Sequence, residues 1–145
     1  KKFFSRNDYE KKMIELLQTK SVDLVCLAGF MRILGKKFIE AFSGKIINIH
    51  PSLLPAFPGL NVQEKALEHG VKFSGCTVHF VNEEVDGGAI ILQAVVPILD
   101  EDDLQSLSAR ILEQEHIIYP EAIRLIIENR LEFSGRRVVR KTRGN

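Results

Sequence analysis

The sequence predicts an α/β fold whose sheet is parallel in its first part and antiparallel toward the C-terminus, with helices on both faces. Two patterns predict it. Short apolar runs rich in β-formers alternate with helical stretches, the arrangement from which parallel sheets are built. The last two such runs are joined by residues 82–88, too few for a crossover helix, which makes them antiparallel neighbours. Composition agrees: 145 residues, 45% hydrophobic and 27% charged, match one soluble domain with one core.

The elements follow in chain order. Ser5 and Asp8 form a capping-box pattern, and Tyr9, Met13, Leu16 and Leu17 repeat at helical spacing, so residues 6–20 read as an amphipathic helix. Residues 22–28 are a buried strand closed by Gly29, residues 36–42 a short helix stopped near Gly44, and residues 46–49 a second buried strand. Pro51, Pro55, Pro58 and Gly59 make residues 51–59 an ordered loop rather than a regular element. A helix at Val62–His69 closes at Gly70, and strands at 76–81 and 89–96 flank the acidic loop 82–88. Asp102 or Asp103 caps a long helix running toward Asn129, with a bend expected at Pro120. Residues 131–139, centred on Ser134 and Gly135, read as a terminal hairpin.

Charge and cysteine usage narrow the function. Twenty basic against 19 acidic residues give a net charge of +1, which disfavours nucleic acid as a partner. The basic run Arg136, Arg137, Arg140, Lys141 and Arg143 reads as a solvated tail. Cys26 and Cys76 lie in apolar runs and are expected as two buried thiols of a reducing compartment, the cytoplasm. No apolar stretch approaches the roughly 20 residues of a membrane helix, and no signal peptide is expected. The chain begins at Lys1, in the run Lys1-Lys2-Phe3-Phe4, and a further N-terminal segment is expected to precede it.

Ligands of open α/β sheets sit at the carboxyl ends of strands. Three such ends carry polar groups here. Gly29, Phe30, Met31 and Arg32 follow the first strand; Asn48 and His50 end the second; Asp86 follows the third, ahead of Gly87 and Gly88. Asn48 and His50, two residues apart on a strand, leave the same face while Ile49 points away. A carboxylate beside an imidazole favours its charged form and fixes its orientation. Ser52 and the cysteines lack a nucleophile arrangement, and His50, His69, His79 and His116 lack paired ligand spacing for a metal. His79 reads as a packed strand residue. No GxGxxG or Walker loop occurs. Proton transfer and oxyanion stabilisation at a carbonyl remain.

The run Asn48-Ile49-His50-Pro51-Ser52-Leu53-Leu54-Pro55 resembles the signature of the 10-formyltetrahydrofolate-dependent formyltransferases. Three further stretches agree: Leu27-Ala28-Gly29-Phe30-Met31-Arg32-Ile33-Leu34, Gly75-Cys76-Thr77-Val78-His79-Phe80-Val81 and Val85-Asp86-Gly87-Gly88. With Gln114-Glu115-His116 they resemble the branch that formylates glycinamide ribonucleotide. The resemblance implies a Rossmann-like formyltransferase sheet over one domain, residues 1–145. It implies Asn48, His50 and Asp86 as the catalytic trio. Met31, Arg32, Ile33 and Leu34, with Asn82, Glu83, Glu84 and Val85, are the implied folate pocket. Gly29, Pro51, Thr77 and Glu115 are the implied contacts to glycinamide ribonucleotide. The co-substrate implied is 10-formyltetrahydrofolate, without a metal and without a nucleic-acid or membrane partner; an oligomer is compatible.

The resemblance departs at the front. Family members open with a strand and a Gly-Ser-Asn loop that cradles the substrate phosphate at a helix N-terminus, and nothing here matches it. The phosphate-binding first segment is therefore expected to be absent, which leaves open whether the chain acts alone. A formyltetrahydrofolate hydrolase, a methionyl-tRNA formyltransferase-like enzyme and a non-catalytic folate-binding fragment stay open beside the main reading.

Overall fold

The computed structural model describes residues 5–141. The run Lys1 to Phe4 and Arg143 lie outside the described residues. The elements in order are α1 (Arg6–Thr19), β1 (Val25–Ala28), α2 (Lys36–Ala41), β2 (Ile46–His50), α3 (Val62–His69), β3 (Phe73–Phe80), β4 (Ile90–Pro97), α4 (Leu104–Ile127), β5 (Leu131–Ser134) and β6 (Arg137–Arg140).

One four-stranded sheet runs in the order β1-β2-β3-β4. β1 and β2 are parallel, with Val25 opposite Ile46 and Ala28 opposite Ile49. β2 and β3 are antiparallel, as are β3 and β4. The expected change from parallel to antiparallel is present, and it falls one strand earlier than the loop 82–88 alone implied.

The pleat sorts side chains between two helical covers. Ile46 packs with Leu34, Phe38 and Phe42, against which Met13, Ile14 and Leu17 of α1 are laid. Ile47, Ile49 and Val78 face the other way and pack on Ala122 of α4. Further along α4, Leu107 and Ile111 close on Cys76 and Val96. Helices thus cover both faces. Because Asn48 and His50 share the Ile46 side of β2, they lie on the α1/α2 face, beyond the point where those helices cover it.

Local signals account for the boundaries. The Ser5 side chain accepts from the Asp8 amide while Asp8 accepts from the Ser5 backbone, a complete capping box. Asp103 and Ser106 form the equivalent box on α4. Asp102 adds a two-pronged ion pair to Arg110, at 2.6 and 2.9 Å, that holds its carboxyl well below the usual range. α4 continues through Pro120 to Ile127.

Three expectations need correction. β1 begins at Val25, not residue 22: Ser21 takes a left-handed turn (φ 52°) and the Val22 amide is tied back to the Leu17 carbonyl. Cys76 is buried but Cys26, on the outermost strand among the described residues, is exposed. The basic run is no tail. Arg137 to Arg140 form β6, Arg136 donates to the Gly87 carbonyl, and Lys141 donates to Asn129.

Candidate active site at the strand ends

Asn48 and His50 end β2, and across the ladder they face His79 and Thr77 of β3. This face therefore carries a square of polar side chains, with Gln93 of β4 beside Thr77. Asp86 closes it from the loop after β3. Its carboxylate lies 3.6 Å from Nδ1 of His50 through one oxygen and 3.6 Å from Nε2 of His79 through the other.

The loops hold this geometry. Asp86 sits in the left-handed region (φ 51°), and the Gly59 amide donates to its Oδ2 at 2.9 Å. A side chain on Gly88 would collide with the Phe80 carbonyl, so the chain can fold back toward β4 only with glycine there. Nε2 of His50 donates to the Phe57 carbonyl at 2.9 Å, and the Ser52 hydroxyl donates to the same carbonyl at 3.0 Å. Nε2 of His50 is thus engaged by a carbonyl, and Nδ1 is left facing the Asp86 carboxylate.

His79 is the contrast. Its Nδ1 donates to the Phe80 carbonyl at 2.9 Å. Burial lowers its pKa, outweighing the opposing pull of the Phe80 carbonyl and Asp86, and the neighbouring His50 lowers it further. A neutral His79 then presents a bare Nε2 to Nδ2 of Asn48, 3.5 Å away. That is the limit of a hydrogen bond, yet it sets the amide: turned over, oxygen would meet a lone pair. One Asn48 N–H faces His79 and the second is left for the crevice. Sequence reasoning took His79 for packing alone. The missed signal was alternation, because Thr77 and His79 must share the Asn48 face once β2 and β3 pair.

The crevice opens into a cavity of about 760 Å³ that Asn48, His50, His79 and Asp86 line at one end. Met31, Arg32, Ile33 and Leu34 line it from one side. Asn82, Glu84 and Val85 line it from the other. Gly29, Pro51 and Glu115 complete the wall, and burial raises the pKa of the Glu115 carboxyl. Met31, Ile33 and Val85 are large apolar side chains left exposed, in keeping with the mostly apolar lining of ligand pockets.

Two nominated residues lie elsewhere. Glu83 points outward, its carboxylate 3.9 Å from the Lys36 ammonium. Thr77 is fully buried, with its hydroxyl donating to the Ser52 carbonyl and accepting from the Leu54 amide and Gln93. It braces the loop that follows His50 and has no exposure to the cavity. Among the described residues no group of three or more His, Cys, Asp or Glu could hold a metal, and no helix is long and apolar enough to cross a membrane.

The chain is similar to known proteins. The formyl transferase family profile matches residues 1–123. A phosphoribosylglycinamide formyltransferase of Haemophilus influenzae is 53% identical over 134 residues, covering 92% of this chain and 63% of that protein. The crystal structure of glycinamide ribonucleotide transformylase 1 from Symbiobacterium toebii superposes with a TM-score of 0.92 at 57% identity, over 95% of this chain and 65% of its own. A formyltetrahydrofolate deformylase from Pseudomonas syringae also superposes, with a TM-score of 0.89 at 29% identity, over 94% of this chain and 46% of its own. The chain thus spans less than two thirds of the length of each. On the profile match across most of its length, the chain belongs to the formyl transferase family.

Proposed function

We propose that this protein moves a formyl group from 10-formyltetrahydrofolate to the primary amine of glycinamide ribonucleotide. The observation that carries the reading is the convergence of Asn48, His50 and Asp86 in the wall of one largely apolar cavity. The identities of the relatives support the acceptor: 53% and 57% to two proteins named for glycinamide ribonucleotide, against 29% to a deformylase.

In this reading Met31, Ile33, Leu34 and Val85 bind the folate, with Arg32, Asn82 and Glu84 at the polar rim. Gly29, Pro51 and Glu115 face the amine substrate. The amine attacks the formyl carbon and negative charge grows on oxygen. The free N–H of Asn48 donates to that oxygen and the His50 imidazolium lies beside it; one such donor is worth about 3–4 kcal/mol. The C–N bond to the acceptor forms, the bond to N10 breaks, and a proton leaves the acceptor nitrogen for N10. Asp86, facing His50, keeps that ring charged and oriented and relays the proton through water. Holding both reactants in one crevice supplies much of the remainder. No step calls for a metal. The chain acts as one domain, in the cytoplasm.

The test is an acceptor assay. Release of tetrahydrofolate is followed with glycinamide ribonucleotide present and with water alone. Release that requires the ribonucleotide and yields its N-formyl derivative supports the reading. Equal release without it makes the protein a hydrolase.

A further inference from the structure

The segment that walls the cavity, Met31 to Leu34, lies between two elements and has no ladder of its own. What holds it comes from α1. Glu10 is a carboxylate with only 8% exposure, an uncommon state for a charged side chain on a helix. Its Oε1 accepts from the Gly35 amide at 2.9 Å and from Nε of Arg6 at 3.3 Å. Arg6 in turn donates from its other nitrogen to the Ile33 carbonyl. One turn along, the Arg32 guanidinium lies 5.4 Å from the centre of the Tyr9 ring. Gly35 itself has φ −73°, open to any residue, yet a Cβ there would collide with Oε2 of Glu10. A side chain at 35 would therefore push the Glu10 carboxylate out of its place, while the backbone itself would accept one.

We infer that Glu10, remote from the reacting atoms, is a positioning residue for the folate: through Gly35 and Arg6 it sets the shape of the segment from Met31 to Leu34. The inference rests on the proposed reading of the cavity. A merely structural Glu10 would lower stability and leave ligand affinity alone. A positioning Glu10 changes affinity for one substrate and spares the chemical step, since Asn48, His50 and Asp86 stand on other elements.

The experiment compares wild type, Glu10→Ala, Glu10→Gln, Gly35→Ala and the Glu10→Ala/Gly35→Ala double variant. Tetrahydrofolate binding is measured by calorimetry, the two KM values and kcat by assay, and protection of the 31–35 amides by hydrogen exchange. Glu10→Ala should weaken tetrahydrofolate by about tenfold or more, speed exchange at 31–35, and leave kcat and the ribonucleotide KM within about threefold. Glu10→Gln, which keeps an acceptor for Gly35, should recover part of the loss. Gly35→Ala should behave like Glu10→Ala, and the double variant should be no worse than Glu10→Ala, because the clash has lost its partner. Unchanged affinity and exchange in a folded Glu10→Ala overturn the inference, as does full additivity. A wild type that binds no tetrahydrofolate sinks the folate reading itself, a result distinct from loss in the variants alone.

Discussion

Asn48 and His79 stand opposite each other across the β2–β3 ladder, with the amide nitrogen of one 3.5 Å from Nε2 of the other. A buried, neutral imidazole so placed selects which way the amide points. In the proposed reaction the donor to the growing oxyanion is then set before substrate arrives, which is where such donors gain their advantage over water.

The first expectation concerns that donor. Asn48→Ala should lower kcat by about 10²–10³-fold with little change in the folate KM, since the bond strengthens only as charge develops. Steady-state kinetics check it. A loss under about fivefold would remove Asn48 from that role.

His79 makes stability depend on pH. Its folded-state pKa lies below the ordinary 6.5, so below that value the unfolded chain binds more protons than the folded one. Its contribution is complete above the ordinary value and is lost as pH falls through the lowered one. Urea unfolding at about pH 7.5 and about pH 5.5 should show wild type losing more stability on acidification than His79→Gln. Equal losses would mean that His79 titrates as it does in the unfolded chain.

The two thiols should separate cleanly. Cys76 is fully buried, and its pKa is pushed up to about 12 by burial and by the Glu115 carboxylate. Cys26 is exposed, its thiol raised by partial burial alone. A disulfide reagent at neutral pH should label Cys26 in the native protein, slowly, and Cys76 only after denaturation. Rapid labelling of both would contradict the packing of Cys76 against Leu107 and Ile111.

The core of the α1/α2 face centres on Phe38, 1% exposed and 5.2 Å from the Phe42 ring centroid. Phe38→Ala should cost about 3–5 kcal/mol of unfolding free energy, read from denaturant curves. A cost below about 1 kcal/mol would mean that the site collapses around the gap.

Much of this was legible in the sequence because local rules agreed with one another. The boxes at Ser5 and Asp103, the helix Val62–His69 closing at Gly70, and the pairing of Asn48 with His50 on one face each follow from a few neighbouring residues. What was not legible depends on distant partners. The Gly59 amide fixes Asp86 and the Phe57 carbonyl fixes His50, and neither residue announces such a bond. Thr77 was implied as a site residue by the resemblance alone, but its oxygen is consumed by Ser52 and Leu54 of a loop the sequence could not dock and by Gln93 of β4. Cys26 looked buried because its run is apolar, and only the sheet order shows β1 outermost among the described residues.

In the proposed mechanism Asp86 acts through His50, 3.6 Å away. The most direct measurement is the pH–rate profile of kcat for wild type and Asp86→Asn, with the His50→Ala single and double variants alongside. Removing a neighbouring negative charge disfavours an imidazolium, so Asp86→Asn should lower kcat strongly and move the profile toward lower pH with folate affinity nearly intact. The double variant should be little worse than His50→Ala, because Asp86 then has no target. An unmoved profile with near-normal kcat, or losses that simply add, would show that Asp86 only shapes its loop and would leave Asn48 and His50 to carry the reaction.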